Sequence, residues 1–163
     1  MKEILDDYRC VCGKLLFRGL ILTGGIEAKC RFCKKVQTIE GLTGQLSTDT
    51  RYVLFLNKKG EVVRTSSTTP NHVGFSLKEL RGMHVADFVV MLAPTFYATL
   101  WDALGERGKT VMLFQTLQKN KDKSMSPVRI EAQAFVTAED RYVVFTVEKK
   151  RTEKELGIGG TLS

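Results

Sequence analysis

The sequence predicts an α+β fold made of two units: a small cysteine-rich unit at the front, and a larger five-stranded antiparallel sheet with helices on one face. All four cysteines of the 163-residue chain lie in two tight pairs, Cys10-Val11-Cys12 and Cys30-Arg31-Phe32-Cys33. From residue 52 onward, apolar runs follow the order strand, strand, helices, strand, strand, strand. That order suits an antiparallel sheet whose helices share one face.

The composition indicates an ordinary globular protein. Hydrophobic residues make up 43% of the chain and charged residues 26%, as in water-soluble domains. No apolar run approaches the roughly 18–20 residues that a membrane span needs. The first residues, 1–7, lack the apolar core of a signal peptide. We therefore expect a cytoplasmic protein with no membrane partner.

The cysteine spacing is typical of a structural zinc site. The front unit is too short to bury a core of its own, so a metal is expected to hold it together. Four thiolates bind zinc in a closed tetrahedral site that leaves no open position for catalysis. A reducing compartment favours metal over disulfides, which remain the alternative if the chain is secreted. The predicted zinc ligands are Cys10, Cys12, Cys30 and Cys33.

Each cysteine pair is predicted to lie at the tip of a tight turn. Gly13 follows Cys12, where the chain needs a positive φ. A short strand at 15–17, a turn at 23–25 and a returning strand at 26–29 fill the space between the pairs. The 17 residues between Cys12 and Cys30 therefore suit one β-hairpin that brings the two pairs together.

Two stretches of this unit resemble the Com-like zinc-ribbon family, whose namesake is a phage translational regulator. They are Arg9-Cys10-Val11-Cys12-Gly13-Lys14-Leu15-Leu16-Phe17 and Ile26-Glu27-Ala28-Lys29-Cys30-Arg31-Phe32-Cys33-Lys34. The resemblance implies zinc at the four cysteines. Through the namesake, it also implies binding to messenger RNA.

Positive charge is concentrated around the cysteines. The net charge is +7, and residues 9–35 hold seven basic side chains and one acidic side chain. Such a cluster is expected where a phosphate backbone of RNA or DNA binds. A solvated face on a unit with little interior explains the same charge equally well. The candidate nucleic-acid contacts are Lys14, Arg18, Arg31, Lys34 and Lys35.

The second unit follows a polar linker. The predicted boundaries are 1–41 for the ribbon, 42–50 for the linker, 51–149 for the sheet domain and 150–163 for a charged tail. We expect a helix that begins at Pro94 and ends at Gly105, after a turn-rich helical segment. The predicted strands are 52–57, 61–66, 110–117, 128–137 and 141–148.

The middle of this unit resembles the PAS family. The resemblance rests on Gly74-Phe75-Ser76-Leu77-Lys78-Glu79-Leu80-Arg81-Gly82 and on Asn57-Lys58-Lys59-Gly60-Glu61-Val62 in the first turn, and it spans about residues 50–149. It implies a sensory and dimerisation module that either holds a ligand between sheet and helices or binds only protein partners. A homodimer through this domain is therefore expected.

Large side chains from separate elements are candidates for a ligand pocket, although a completely filled core is the favoured interpretation. The ligand is unknown. Haem would need His84 or His72 as a ligand, and a cysteinyl-flavin photocycle needs a cysteine that the chain lacks after Cys33, so neither cofactor is favoured. The candidate pocket residues are Phe55, Phe75, His84, Phe88, Trp101, Leu113 and Phe145.

The sequence lacks the marks of an enzyme. It has two histidines, no cysteine left over once zinc binds four, and no Gly-rich phosphate loop. The leading hypothesis is a non-enzymatic, signal-responsive regulator whose ribbon contacts nucleic acid. The alternative is a protein-interaction adaptor with a filled core and the ribbon as a docking element. In both, Cys30→Ser is expected to unfold the ribbon and leave the sheet domain intact.

Overall fold

The computed structural model describes residues 3–22, 24–42, 50–105 and 110–150. Almost all of the predicted linker and almost all of the predicted charged tail lie outside the described residues. In chain order the elements are β1 (Asp6–Arg9), β2 (Leu15–Gly19), β3 (Gly25–Lys29), β4 (Val36–Glu40), β5 (Arg51–Leu56), β6 (Val62–Thr65), α1 (Thr69–Val73), α2 (Leu77–Leu80), a 3-10 turn (Val85–Asp87), α3 (Pro94–Leu104), β7 (Val111–Lys119), β8 (Met125–Val136) and β9 (Arg141–Lys149).

The ribbon consists of two hairpins. Strand β1 pairs with β2 and β3 pairs with β4, both antiparallel. The predicted single hairpin between Cys12 and Cys30 is therefore wrong, because each cysteine pair supplies the turn of its own hairpin. The Gly13 N–H donates to the Cys10 carbonyl at 2.8 Å, and the Lys34 N–H donates to the Cys30 carbonyl at 3.1 Å. These bonds close the two turns.

The sheet domain has the predicted antiparallel order. Across the sheet, its five strands lie in the spatial order β6-β5-β9-β8-β7. The β5–β6 hairpin therefore joins the β8–β9 hairpin where β5 pairs with the central strand β9. Strands β7 and β8 run further than the sequence predicted, and the charged loop between them shrinks to a turn at 120–124. A longer ladder satisfies more backbone groups without changing the topology.

The turn-rich segment forms two short helices and the 3-10 turn. Helix α2 begins with a capping box in which the Ser76 hydroxyl accepts from the Glu79 N–H at 3.1 Å and the Glu79 carboxylate accepts from the Ser76 N–H at 2.8 Å. Helix α3 begins at Pro94 and stops before Gly105, as predicted. Within the described ranges, no helix combines the length and apolar character that a bilayer span requires.

The main core lies between the helices and one face of the sheet. Tyr52, Leu54 and Leu56 of β5 point to this face, where they meet buried side chains from α3, β8 and β9. Most of these side chains have no exposed surface. This inner face is where the sequence placed the domain core.

A second core lies on the opposite, outer face of the sheet. Val53 and Phe55 of β5 pack there with Phe135, Tyr142 and Val144. Segments at the foot of the ribbon cover them, and these contribute Ile4, Leu20, Leu22 and Leu42. The foot of the ribbon therefore shares a hydrophobic cluster with the sheet.

The remainder of the outer face is uncovered at the β7 edge. Val111, Leu113 and Leu117 of β7 are 50%, 55% and 41% exposed. Their strand alternates exposed and half-buried residues along most of its length. One sheet face thus carries a covered half next to the ribbon and, in its open half, a row of exposed apolar side chains on β7.

Candidate metal centre and core of the sheet domain

The four cysteine sulfurs converge at the tip of the ribbon. The Sγ atoms of Cys10 and Cys33 are 3.4 Å apart, and those of Cys12 and Cys30 are 3.7 Å apart. All four lie within 4.8 Å of one another. A tetrahedron with metal–sulfur bonds of about 2.3 Å has sulfur–sulfur edges of about 3.8 Å. The cluster therefore matches the size of a four-thiolate metal site such as one for zinc.

The distances between the sulfur atoms also exclude disulfide bonds in this arrangement. A disulfide places its two sulfurs about 2.05 Å apart, and all four cysteines are free thiols. The closest contacts join one cysteine of the first hairpin to one of the second. A metal bound here would therefore link the two hairpins rather than close each hairpin on itself.

The backbone of the second turn prepares its first cysteine for metal binding. A hydrogen bond from the Cys33 N–H is the main cause that lowers the pKa of the Cys30 thiol to about 6, helped by the Phe32 N–H. At Cys10, the Cys12 N–H favours the thiolate, but burial and the neighbouring thiols raise the pKa to about 12. Cys30 thus ionises readily, whereas the buried Cys10 needs a nearby cation to do so.

A glutamine adds a second link between the hairpins. The Gln37 amide donates to the Arg9 carbonyl at 3.1 Å, and its oxygen accepts from the Val11 N–H at 3.3 Å. Gln37 lies in β4, whereas Arg9 and Val11 flank the first cysteine. Sequence reasoning missed this residue, because its role depends on which strands stand side by side.

Four of the five predicted nucleic-acid contacts lie around the sulfur cluster. Lys14 belongs to the first cysteine turn, and Arg31, Lys34 and Lys35 belong to the second; all four are exposed. Among the described residues, no acidic group pairs with Arg31, Lys34 or Lys35 within 4 Å. The tip of the ribbon therefore presents positive charge to solvent.

Arg18 does not join this group. It lies in β2 opposite Asp7 of β1, and its Nε is 2.6 Å from the Asp7 carboxylate. This hydrogen bond is the main cause that lowers the pKa of Asp7. Arg18 thus closes the foot of the first hairpin, away from the cysteine turns, and its charge is engaged with an acid.

Two apolar side chains stand exposed at the turns. Val11 is 80% exposed and Phe32 is 69% exposed. The Lys14 ammonium lies 5.1 Å from the centre of the Phe32 ring, so the two hairpins also touch here. Sequence reasoning passed over Phe32 as a candidate functional residue, although it stands between the predicted metal ligands Cys30 and Cys33.

Five of the seven predicted pocket residues lie between the sheet and the helices or at its margin. Phe88 and Phe145 have no exposed surface, Trp101 is 8% exposed, and Phe75 packs against the same cluster. His84 lies beside them, with its ring 6.3 Å from that of Tyr97. These residues line the inner core of the domain.

The other two predicted pocket residues face away from this core. Phe55 packs on the outer face against Phe135 and Tyr142, with ring centres 5.5 Å and 6.4 Å away. Leu113 lies on the open outer side of β7. Successive strand residues alternate between faces, and Phe55 follows inward-facing Leu54 by one position, so it cannot line an inner pocket.

His84 is held tightly rather than aimed into open space. Its Nδ1 accepts from the Ala86 N–H at 3.0 Å, which leaves the proton on Nε2. Nε2 is buried without a hydrogen-bond partner among the described residues. A Cβ on Gly60 would lie 2.6 Å from this atom, so the glycine is what admits the ring.

A buried polar network spans the inner core and was not predicted. The Tyr52 hydroxyl donates to the side-chain oxygen of Gln118, which has no exposed surface. The Gln118 amide donates to the His72 carbonyl at 2.9 Å and to Asn120 at 2.5 Å. The Tyr52 and His72 rings stack with centres 5.3 Å apart. The network ties β5, α1 and β7 together.

The comparison with solved structures identifies the sheet domain. The chain is similar to the PAS domain of an HTR-like protein from Haloarcula marismortui, with a TM-score of 0.57, 14% identity, and coverage of 61% of this chain and 86% of that one. The sheet domain has the PAS fold. A PAS domain of a two-component sensor histidine kinase matches with a TM-score of 0.53 and 15% identity, covering 61% of this chain and 85% of that one.

A third PAS domain, of a protein from Desulfitobacterium hafniense, matches with a TM-score of 0.52 and 13% identity over 62% of this chain and 93% of its own. No family model matches the sequence, and no curated protein is similar to it. These similarities therefore concern the fold of the larger unit. The evidence for a metal site in the ribbon is the geometry of its four cysteines.

Proposed function

We propose that this protein is a non-enzymatic, signal-responsive regulator in which a zinc-loaded ribbon contacts nucleic acid while the PAS domain senses a ligand, forms a dimer, or does both. The observation that carries the proposal is the four-thiol cluster surrounded by exposed basic side chains. Lys14, Arg31, Lys34 and Lys35 surround it. The PAS fold supplies the sensory half by analogy with its structural neighbours.

Zinc is the metal that suits the four sulfurs. Soft thiolates in a tetrahedral set select zinc over oxygen-preferring cations such as magnesium. With all four positions occupied by protein sulfurs, the metal would hold no water or substrate. Its role in this proposal is structural, and we propose no catalytic activity for the chain.

The charge distribution supports a nucleic-acid partner rather than an evenly solvated face. Asp7 and Glu40 lie towards the foot of the ribbon, where Asp7 pairs with Arg18, and Glu27 lies midway along β3. The exposed basic side chains Lys14, Arg31, Lys34 and Lys35 lie at the tip. A surface whose charge is separated in this way attracts a polyanion and releases its counterions.

The PAS domain supplies a surface for a second copy. Val111, Leu113 and Leu117 form an exposed apolar row on the outer side of the edge strand β7. Exposed apolar patches of this kind mark interaction sites. A homodimer through this row would present two basic tips and raise the effective affinity for one nucleic acid.

The second candidate function is a protein-interaction adaptor. The well-filled inner core favours it, since Phe88 and Phe145 have no exposed surface. The exposed apolar side chains Val11 and Phe32 at the ribbon tip also favour it. In that case the tip would dock on another protein. Binding to nucleic acid separates the two candidates.

The experiment is fluorescence anisotropy of the zinc-loaded protein with labelled RNA and DNA across a salt series. Lys34→Glu with Lys35→Glu is expected to weaken binding and to flatten its salt dependence, because fewer counterions are released. Lys58→Glu with Lys59→Glu is the matched control, since this adjacent pair is exposed in the β5–β6 turn of the PAS domain. The control should bind as the parent protein does.

Absence of binding at low salt would refute the nucleic-acid role and favour the adaptor. Equal losses in both double variants would mean that net charge alone drives binding, with no site at the ribbon tip. Removal of zinc by a chelator should abolish binding to nucleic acid, because the basic side chains of the two cysteine turns would no longer be held together.

A further inference from the structure

We propose that Phe32 is a stacking platform for an unpaired base, so that the ribbon tip selects single-stranded nucleic acid over duplex. The inference rests on the proposed function and names its substrate class. It starts from an apolar ring that is 69% exposed beside the sulfur cluster. Exposing an aromatic ring of this size to water forgoes the free energy that its burial would supply, so its position needs a reason.

The ribbon buries its other aromatic side chains where it can. Tyr8 and Phe17 stack on each other with ring centres 4.7 Å apart and planes inclined by 22°. The Tyr8 hydroxyl also accepts a hydrogen bond from the Ile21 N–H at 3.0 Å. Both rings are half-buried in the first hairpin. Phe32 therefore differs from its neighbours, and a shortage of partners in a small unit does not explain its exposure.

The charges around Phe32 suit a strand that offers both a base and a phosphate. Lys14 lies over the ring, with its ammonium 5.1 Å from the ring centre. Arg31 and Lys34 are exposed close to it in the same turn. Aromatic faces interleaved with cations form the usual surface for single strands, because any unpaired base can stack while its backbone meets the positive charge.

A duplex cannot use such a platform without losing base stacking of its own. Its bases are already stacked and paired, so only its phosphates would reach the tip. The second exposed apolar residue, Val11, stands on the other turn and is 80% exposed, but it offers no aromatic face. It therefore serves as a control for exposed apolar area without stacking.

The test compares the binding of zinc-loaded, full-length variants to four probes. The probes are a short labelled oligouridylate, the corresponding oligothymidylate, a blunt duplex of equal length, and an abasic strand that keeps the phosphates but lacks bases. Phe32→Ala should weaken binding to the two base-bearing strands about 5- to 150-fold. It should leave the salt slope and the affinity for the abasic strand unchanged.

Three further variants separate stacking from other roles. Phe32→Trp should retain the affinity for base-bearing strands, because the platform persists. Phe32→Leu should lose about as much affinity as Phe32→Ala, because leucine keeps apolar area but has no aromatic face on which a base can stack. Val11→Ala should change little. A preference between oligouridylate and oligothymidylate would show whether RNA or DNA is the favoured source of the strand.

Several results would overturn the inference. One is duplex binding as tight as single-strand binding, with Phe32→Ala unchanged; that outcome leaves the proposed function standing on charge alone. Another is an equal loss on the abasic strand, which would make Phe32 a structural support of the turn. Full affinity of Phe32→Leu would indicate an apolar contact, as expected for a protein partner. Binding to none of the probes would refute the proposed function itself.

Discussion

Removing the metal from the ribbon should destabilise the PAS domain as well as the ribbon. Each hairpin has strands of five residues or fewer, and an isolated two-stranded hairpin is marginal in water. Once chelation frees the four thiols, we expect the hairpins to unfold. Their feet would then leave the outer face of the sheet, where Phe55 and Phe135 have 0% and 1% exposure beneath them.

The size of the effect follows from the side chains that would lose their cover. Burial of a large apolar side chain contributes about 1.5–3 kcal/mol, and we take half of that as due to the ribbon. For the five sheet side chains the loss amounts to about 4–7.5 kcal/mol. This is an upper value, because the unfolded ribbon segment still covers part of the sheet face. Domains of ordinary stability have about 5–15 kcal/mol in all. The side chains are Val53, Phe55, Phe135, Tyr142 and Val144.

The single tryptophan makes the assay specific. Trp101 lies in α3 within the inner core, so its emission reports on the PAS domain and not on the ribbon. Urea unfolding followed by this emission should show a midpoint at least about 1 M lower in chelator than with zinc. An unchanged midpoint, with zinc demonstrably released, would refute the coupling and restore the view of two independent units.

A matched pair of variants isolates the contact from the metal. Ile4→Asp places a charge in the shared cluster, where Ile4 is 4% exposed, without touching a cysteine. It should lower the Trp101 midpoint of the zinc-loaded protein and have little effect in chelator. Val36→Asp, on a ribbon side chain that is 60% exposed, should leave the midpoint unchanged in both conditions.

The remaining predictions concern local backbone and buried polar groups. Gly60→Ala should destabilise the protein more than Gly82→Ala: both glycines have a positive φ, so each change costs about 1–2 kcal/mol, but only at Gly60 would the new Cβ strike His84. Lys34 has a φ of 63°, so Lys34→Gly should raise the zinc-loaded protein's thermal midpoint. Gln118→Leu should cost about 1–3 kcal/mol in urea unfolding, because it leaves buried groups unpaired.

The parts of the fold that sequence predicted well are those fixed by local chemistry. Ser76 and Glu79 form the capping box of α2, and Pro94 and Gly105 bound α3. The first cysteine pair forms a tight turn because Gly13 supplies a positive φ immediately after it. These features depend on residues close together in the chain, and so the sequence displays them directly.

The parts that sequence missed depend on which strands meet. Arg18 was predicted to contact nucleic acid, yet the pairing of β1 with β2 sets it opposite Asp7. The wrong hairpin hid this ion pair, since a ribbon with β2 beside β3 would leave Arg18 without that acid. Contact of Arg18 with nucleic acid stays a prediction. Lys34 was counted only as a charge, although its positive φ gives it the turn position that Gly13 holds in the first hairpin.

A signal for the covered outer face was present in the sequence but was not used. A strand with one exposed face alternates apolar and polar residues, whereas one buried on both faces reads as a continuous apolar run. Residues 52–56 form such a run and are buried throughout, while β7 alternates and is open. The uninterrupted run therefore indicates that something covers the second face, although it does not name the ribbon.

The two halves of the outer face give the ribbon a route to influence the PAS domain. The covered half meets the ribbon foot through Leu20 and Leu22, and the uncovered half carries Leu113 and Leu117 on β7. Both halves belong to one continuous sheet, with β9 and β8 between them. If β7 binds a second copy, metal binding at the ribbon and pairing of the PAS domains act on the same sheet, and any effect of one on the other is reciprocal and equal in free energy.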